Sequence, residues 1–272
     1  MWRVLTHGGA GSDPAHVDGP KAAAVQAGQL LARGDSPLDA VVRAAVILED
    51  DPRFNAGTGS SIRADGKTIE MDASCMDDTG HFGAVTLLRR IKNPVLVARA
   101  VMDTRHIALG GAGAQSFAAE LGFGEYDPTT EGALKKFRAF VEREGRGPDP
   151  FEKDTVGAVA TDGKRFAASL STGGITGSRV GRIGDVPSPG CGLFAGPQAA
   201  VAATGTGEEI ARRALAHEAY QRLARGEEPA AVVADLIEKF PAEHDLGLIV
   251  VSGLGGAGGS NRRMAWAEAS GA

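Results

Sequence analysis

The chain has 272 residues, enough for one domain with a large buried core. Its net charge of -5 sets aside a broad nucleic-acid footprint, and no apolar run reaches the roughly 18 residues that a membrane helix requires. Cys75 and Cys191 belong to no zinc-binding spacing, and a disulfide framework is not expected in so large a domain. Glycine is the unusual component: 39 residues, about twice the usual share, without the period of collagen. It gathers in loops, where backbone must approach something closely.

Trp2–Thr6 reads as a first strand running into His7-Gly8-Gly9, and this opening lacks the basic start and apolar core of a secretion signal. A cytoplasmic, reducing compartment is expected. Lys21–Arg33 has apolar residues at helical spacing. Ser36-Pro37-Leu38-Asp39 starts a second helix, with a hydroxyl cap and Pro at the first turn, reaching about Glu49. Asp51–Ser60 is a loop by composition. Thr68–Met76 and Ala84–Leu88 read as strands, Asn93–Met102 and Ala112–Leu121 as helices.

From Glu125 to Asp154 the texture changes. Fourteen of these thirty residues are charged and three are proline, which suits a solvated linker carrying one amphipathic helix with Leu134, Phe137 and Val141 on a face. Thr155–Thr161 and Phe166–Ser171 follow as β-type runs joined by Asp162-Gly163, a hairpin signal. The loop from Ser171 to Cys191 is dense in Gly, Thr, Ser and Pro. Val201–Ala203 is a short strand, and Thr206 or Glu208 opens a helix to about Arg225. Pro229–Phe240 is helical, Leu246–Ser252 a last strand, and the remaining tail glycine-rich and then helical. The alternation predicts an α/β layered fold.

Several standard sites fail on inspection. Gly205-Thr206-Gly207 lacks the third glycine of a dinucleotide turn, since Ile210 stands there. Gly66-Lys67-Thr68 lacks the upstream glycine of a phosphate loop, and no nucleophile elbow occurs. What remains is a series of threonines after the linker. Thr155 stands where the acidic stretch meets a strand. Cleavage of Asp154–Thr155 would give it a free α-amino group able to take its own hydroxyl proton, so that one residue supplies nucleophile and base. Thr172 in Ser171–Gly174 follows the partner strand, within reach of Thr155 across a hairpin. Arg182 and Asp185 carry opposite charges between glycines and suit the two ends of an amino acid, or else form a plain surface ion pair. The turn Thr204–Glu208 offers backbone N–H groups at a helix start, where an oxyanion is stabilised.

Taken together, HGGAG (7–11), FNAGTGS (54–60), DTVGAVA (154–160), STGG (171–174), GRIGD (181–185), SPGCG (188–192) and TGTGE (204–208) resemble one family along nearly the whole chain. It is the N-terminal-nucleophile amidohydrolases that include plant-type asparaginases, isoaspartyl peptidases and glycosylasparaginase. The resemblance implies a four-layer αββα sandwich, residues 1–272 forming one domain that cuts itself into 1–154 and 155–272. Two such αβ heterodimers would form a dimer. Thr155 matches the nucleophile, Thr172 its hydrogen-bonding threonine, and Asn55 an asparagine that shapes the surroundings. Arg182 and Asp185 match the residues holding the substrate's carboxylate and amino group. Thr204 and Gly205 match the oxyanion site, Gly207 a backbone contact. The loop 48–58 matches one that holds a structural sodium in some members, through backbone oxygens of Leu48, Glu49, Asp51, Phe54, Ala56 and Thr58. No other cofactor is implied. The expected substrates are L-asparagine and β-aspartyl dipeptides. Asp154 before the nucleophile is similar to glycosylasparaginase, so the leaving group stays open, and a non-catalytic amino-acid-binding homologue is the rival of another class.

Overall fold

The computed structural model describes residues 1–143 and 155–272. Two sheets pack face to face between two helical layers. The larger runs, in spatial order, β11 (Met264–Gly271), β1 (Trp2–Ala10), β5 (Val156–Thr161), β6 (Phe166–Thr172), β2 (Met71–Asp77), β3 (Phe82–Leu88) and β4 (Ala108–Gly110). The smaller runs β10 (Gly255–Ser260), β9 (Leu246–Ser252), β8 (Ala199–Gly205) and β7 (Leu193–Gly196). Helices α1 (Asp18–Ala32), α2 (Pro37–Asp50), α3 (Pro94–Val101) and α4 (Gly111–Glu120) cover the large sheet. Helices α6 (Gly207–Arg213), α7 (Leu215–Ala224) and α8 (Pro229–Lys239) cover the small one.

The period-2 geometry of strands explains the layering, because each strand must be apolar on both faces. Along β1, Val4 meets the helices and Leu5 the inter-sheet core. In β5, Val156, Ala158 and Ala160 pack on α1 and α2, while Val159 turns inward. In β8, Val201 and Ala203 face α6–α8, and Ala200 and Ala202 meet the large sheet. The result is the αββα sandwich.

Some expectations need correction. The tail is not helical: β10 pairs with β9, and β11 lies along β1 from Trp2↔Gly271 to Ala10↔Met264. Ala and Glu favour helix, but pairing along the whole of β1 outweighs that preference. The β10 glycines are needed because neighbours fill their side-chain space; a Cβ on Gly256 would lie 2.7 Å from Leu5, one on Gly258 2.9 Å from Trp266. The single helix expected after Thr206 breaks at Ala214, whose φ is 48°. There the amides of Ala216 and His217 donate to the carbonyls of Cys191 and Gly190 at 3.0 and 2.9 Å, which draws the chain out of register. β4 and β7 lie in segments read as loop or helix edge.

Helix α5 (Glu131–Glu142) does form inside the charged stretch, capped by the Thr130 hydroxyl. Its Leu134 and Phe137 pack on Ile62, Ile69 and Met71, but Val141 is exposed and Phe140 takes its place beside Phe137. Among the described residues no helix is long and apolar enough to cross a membrane.

Candidate functional site

The β5–β6 hairpin forms as expected, Val156 pairing with Ser171 and Thr161 with Phe166. Continuing that register one step sets Thr155 across from Thr172. Thr155 is buried at the head of β5; Asp154, the other half of the expected cleavage site, lies outside the described residues. One small pocket is lined by Thr155, Thr172, Gly174, Ile175, Arg182, Gly184, Asp185 and Gly205. Five of the expected site residues therefore share one concavity, although they come from two strands, a loop and the opposite sheet. A larger cavity, of about 450 Å³, lies elsewhere, between Glu70, Arg89, Arg90 and the start of α4. It contains neither Thr155 nor Thr172, and a site for one small amino acid has no need of such a volume.

Thr204 and Gly207 flank the pocket. The Thr204 hydroxyl accepts from the Ala10 amide at 3.1 Å, joining the ends of β8 and β1 across the two sheets. Gly205 has φ 136°, and a Cβ there would lie 2.0 Å from the carbonyl oxygen of Asp245. Only glycine fits this turn. Thr206 fastens it, donating its amide to Asp245 O (2.8 Å) while its hydroxyl accepts from the Asp245 amide (3.1 Å). Asp245 is held in turn by Arg262 Nε at 2.8 Å. Asn55 positions the floor: its Nδ2 donates to Gly174 O (2.6 Å), its Oδ1 accepts from the Ser61 amide (2.9 Å), and its carbonyl takes the Gly173 amide (2.9 Å). The Thr172 hydroxyl accepts from the Gly174 amide at 3.1 Å.

Arg182 and Asp185 do not pair with each other. The Arg182 guanidinium forks onto Glu208, with Nε and Nη2 at 2.9 and 2.8 Å from its two oxygens. This is the bidentate geometry a substrate carboxylate would adopt. Asp185 is buried, and among the described residues its Oδ2 has no hydrogen-bond partner. Burial raises its pKa to about 7, which its own backbone amide and, less, the Arg182 charge offset only in part. A buried carboxylate oxygen without a partner is costly, and a cationic donor placed against it would lower that cost. Gly207 lies against the same group, where a Cβ would sit 2.6 Å from Asp185 Oδ1.

No histidine lines the pocket. His7 pairs with Gly157 in the β1–β5 ladder and packs where a Gly157 side chain would be. Burial drives its pKa down to about 3, against a smaller upward pull from the Thr155 backbone, so its ring is neutral at ordinary pH.

The segment 48–58 curls onto itself. Thr58 N donates to Glu49 O at 2.8 Å and Phe54 N to Asp51 O at 3.2 Å. Gly57 lies close against the carbonyls of Glu49 and Lys92, and Gly59 against those of Pro52 and Phe54, where a Cβ would come within 2.8 Å. Main-chain oxygens thus crowd a side-chain-free cradle, and oxygen is the donor type that a hard cation takes. The Glu49 side chain points elsewhere: buried, it accepts from Val95 N at 3.0 Å, and burial raises its pKa to about 8. Among the described residues no group of three or more His, Cys, Asp or Glu is placed to hold a metal.

Sequence reasoning missed Arg63, Glu70 and Asp72, all buried, the first two against the loop that carries Arg182. Two acids in the apolar run Ile69–Met76 were a signal of buried charge; nothing marked Arg63.

Comparison with known proteins gives the class. The asparaginase family profile matches residues 1–272. The chain is 38% identical to a plant-type L-asparaginase of Pyrococcus horikoshii, over 95% of this chain and 92% of that protein. It is 40% identical to an isoaspartyl peptidase/L-asparaginase of Macaca fascicularis (98% and 92%) and 38% to one of Danio rerio (98% and 91%). The chain belongs to the asparaginase family.

Proposed function

We propose that this chain hydrolyses the side-chain amide of a terminal L-aspartyl unit, in L-asparagine and in β-aspartyl dipeptides, with Thr155 as nucleophile after the chain cuts itself before that residue. The observation that carries the reading is the shared pocket of Thr155, Thr172, Arg182, Asp185 and Gly205. Arg182 exchanges Glu208 for the substrate's α-carboxylate, and Asp185 takes the α-ammonium. These two contacts fix the amino-acid end and leave the side-chain amide to reach Thr155.

The α-amino group of Thr155 then removes the hydroxyl proton as Oγ1 attacks the amide carbon. The oxyanion forms beside Thr204 and Gly205, whose backbone is set by Asp245 before substrate arrives. Collapse breaks the C–N bond, and the amine's proton leaves with ammonia or with the amino acid. The resulting β-aspartyl ester is hydrolysed by water, activated by the same amine, to release L-aspartate.

Cleavage would not separate the two parts. β1, from the first part, lies between β11 and β5 of the second, hydrogen-bonded to both. The halves should part only on denaturation. A dimer of such heterodimers and a sodium ion in the 48–58 cradle belong to the same proposal. So does a cytoplasmic location, which the two unpaired cysteines suit.

The test is a substrate panel on purified protein: L-asparagine, a β-aspartyl dipeptide and glycosylasparagine, each followed by release of its leaving group. Turnover of the first two supports the reading. Turnover of glycosylasparagine alone would reassign the chain, and turnover of none, with L-aspartate still bound, would make it an amino-acid-binding homologue.

A further inference from the structure

The segment joining β6 to β7 runs twenty residues, 173–192, without helix or strand, yet it must hold Arg182 and Asp185 to within a fraction of an ångström. What lies beneath it is charge. Arg63 is fully buried, and its guanidinium touches the loop at three places. Nη1 donates to Ser178 Oγ at 2.7 Å, Nη2 to Arg182 O at 3.4 Å, and Nη1 occupies the space a Gly174 side chain would need. Nη2 also donates to Glu70 O at 2.9 Å. Glu70, itself 2% exposed, accepts the Gly181 amide on Oε2 at 2.7 Å and Arg89 on Oε1 at 2.6 Å, and its carboxylate lies 3.4 Å from Arg63 Nε. Backbone bonds from Ala64 N to Ser178 O and from Gly177 N to Ile62 O fasten the same stretch. Neither Arg63 nor Glu70 lines the pocket.

We propose that Arg63 and Glu70 are positioning residues: together they fix the backbone from Gly174 to Arg182, and so determine where the Arg182 guanidinium meets the substrate's α-carboxylate. This rests on the assignment of Arg182 under the proposed function. A buried charge left without its partner is expensive, so the pair acts as a unit and is sensitive to loss of either charge. Its influence falls chiefly on substrate binding, because the β5–β6 register and the Gly205 turn are held by other contacts and the cluster reaches the Thr155 wall only through the Gly174 amide on the Thr172 hydroxyl.

The experiment is steady-state kinetics with L-asparagine on cleaved enzyme. Glu70→Gln keeps an acceptor for the Gly181 amide but removes the charge facing Arg63 and Arg89. KM should rise roughly tenfold while kcat stays within about threefold. In an Arg182→Ala background the same change should move KM by less than about twofold, because the group being positioned is gone. An unchanged KM in Glu70→Gln, or an equal rise with and without Arg182, would reduce the cluster to scaffolding. Should Glu70→Gln fail to fold, Ser178→Ala removes one acceptor of Arg63 from the half-buried side; a smaller KM rise is expected, and none would overturn the proposal. If wild-type protein does not hydrolyse L-asparagine, the functional reading fails; if it does and the variants match it, only this inference fails.

Discussion

The pocket has two walls built on different principles. The Thr155 wall is a sheet: a hairpin register places Thr155 across from Thr172, and the adjacent β8 end is fixed by a turn that only glycine can make. The Arg182 wall is an irregular loop whose shape comes from buried charge. A sheet specifies position through backbone pairing and tolerates most side-chain changes. A charge-supported loop specifies position through side chains, and each of them matters. The first wall suits the reacting atoms, where error is least affordable, and the second suits recognition.

Changes to the first wall should therefore strike kcat, and changes to the second KM. The largest effect is expected from Thr155→Ala, which should remain full length on denaturing gels and show no turnover. Gly205→Ala follows: the added Cβ meets Asp245 O at 2.0 Å and φ 136° disfavours alanine, so kcat should fall at least about a hundredfold, the cost of spoiling an oxyanion site, with a lower melting temperature. A kcat near wild type would remove Gly205 from the reacting site.

On the second wall, Arg182→Lys should raise KM by about 10- to 100-fold with kcat largely kept, because an ammonium cannot fork onto both carboxylate oxygens. Unchanged KM would separate Arg182 from recognition.

The pH dependence divides the walls further. Asp185 must be ionised to hold an ammonium, and burial puts its pKa at about 7. Below that pH it is protonated, so kcat/KM should rise as pH increases through about 7. The α-amino group of Thr155, near 7.7–8.0 when unperturbed, adds a rise in the same direction. Asp185→Asn should erase the lower rise and keep the upper one. Substitution of His7 should erase neither, since its ring is already neutral throughout that range.

The smallest effect concerns stability alone. Glu49 in the native state keeps its proton to about pH 8, while unfolded it ionises near 4.5. Between those values the folded form binds more protons, so stability falls as pH rises. Glu49→Gln should relieve this, stabilising the fold more at pH 8 than at pH 4 by a few kcal/mol at most, read as a larger rise in melting temperature at the higher pH. Equal effects at both pH values would show that Glu49 is not buried as a neutral acid.

The same two principles explain what was legible in the sequence. The hairpin was readable because Asp162-Gly163 sits between β-type runs, and register then carries Thr155 to Thr172. Motif resemblance located Arg182, Asp185 and Gly205. It did not reveal that Arg182 rests on Glu208, nor that Arg63 and Glu70 lie beneath the loop, because those contacts join residues far apart in sequence that share no local pattern. The tail was misread for the converse reason. Its composition favours helix, and only the open edge of β1, at the other end of the chain, makes it a strand.

The most direct test of Thr155 as a nucleophile freed by cleavage is an acid-quenched mass analysis of the protein during turnover of L-asparagine. The account predicts a fragment beginning at Thr155, part of it heavier by one aspartyl residue (aspartate less water) esterified to that threonine. An uncut chain turning over substrate at full rate, or an aspartyl group found on any other residue, would contradict it.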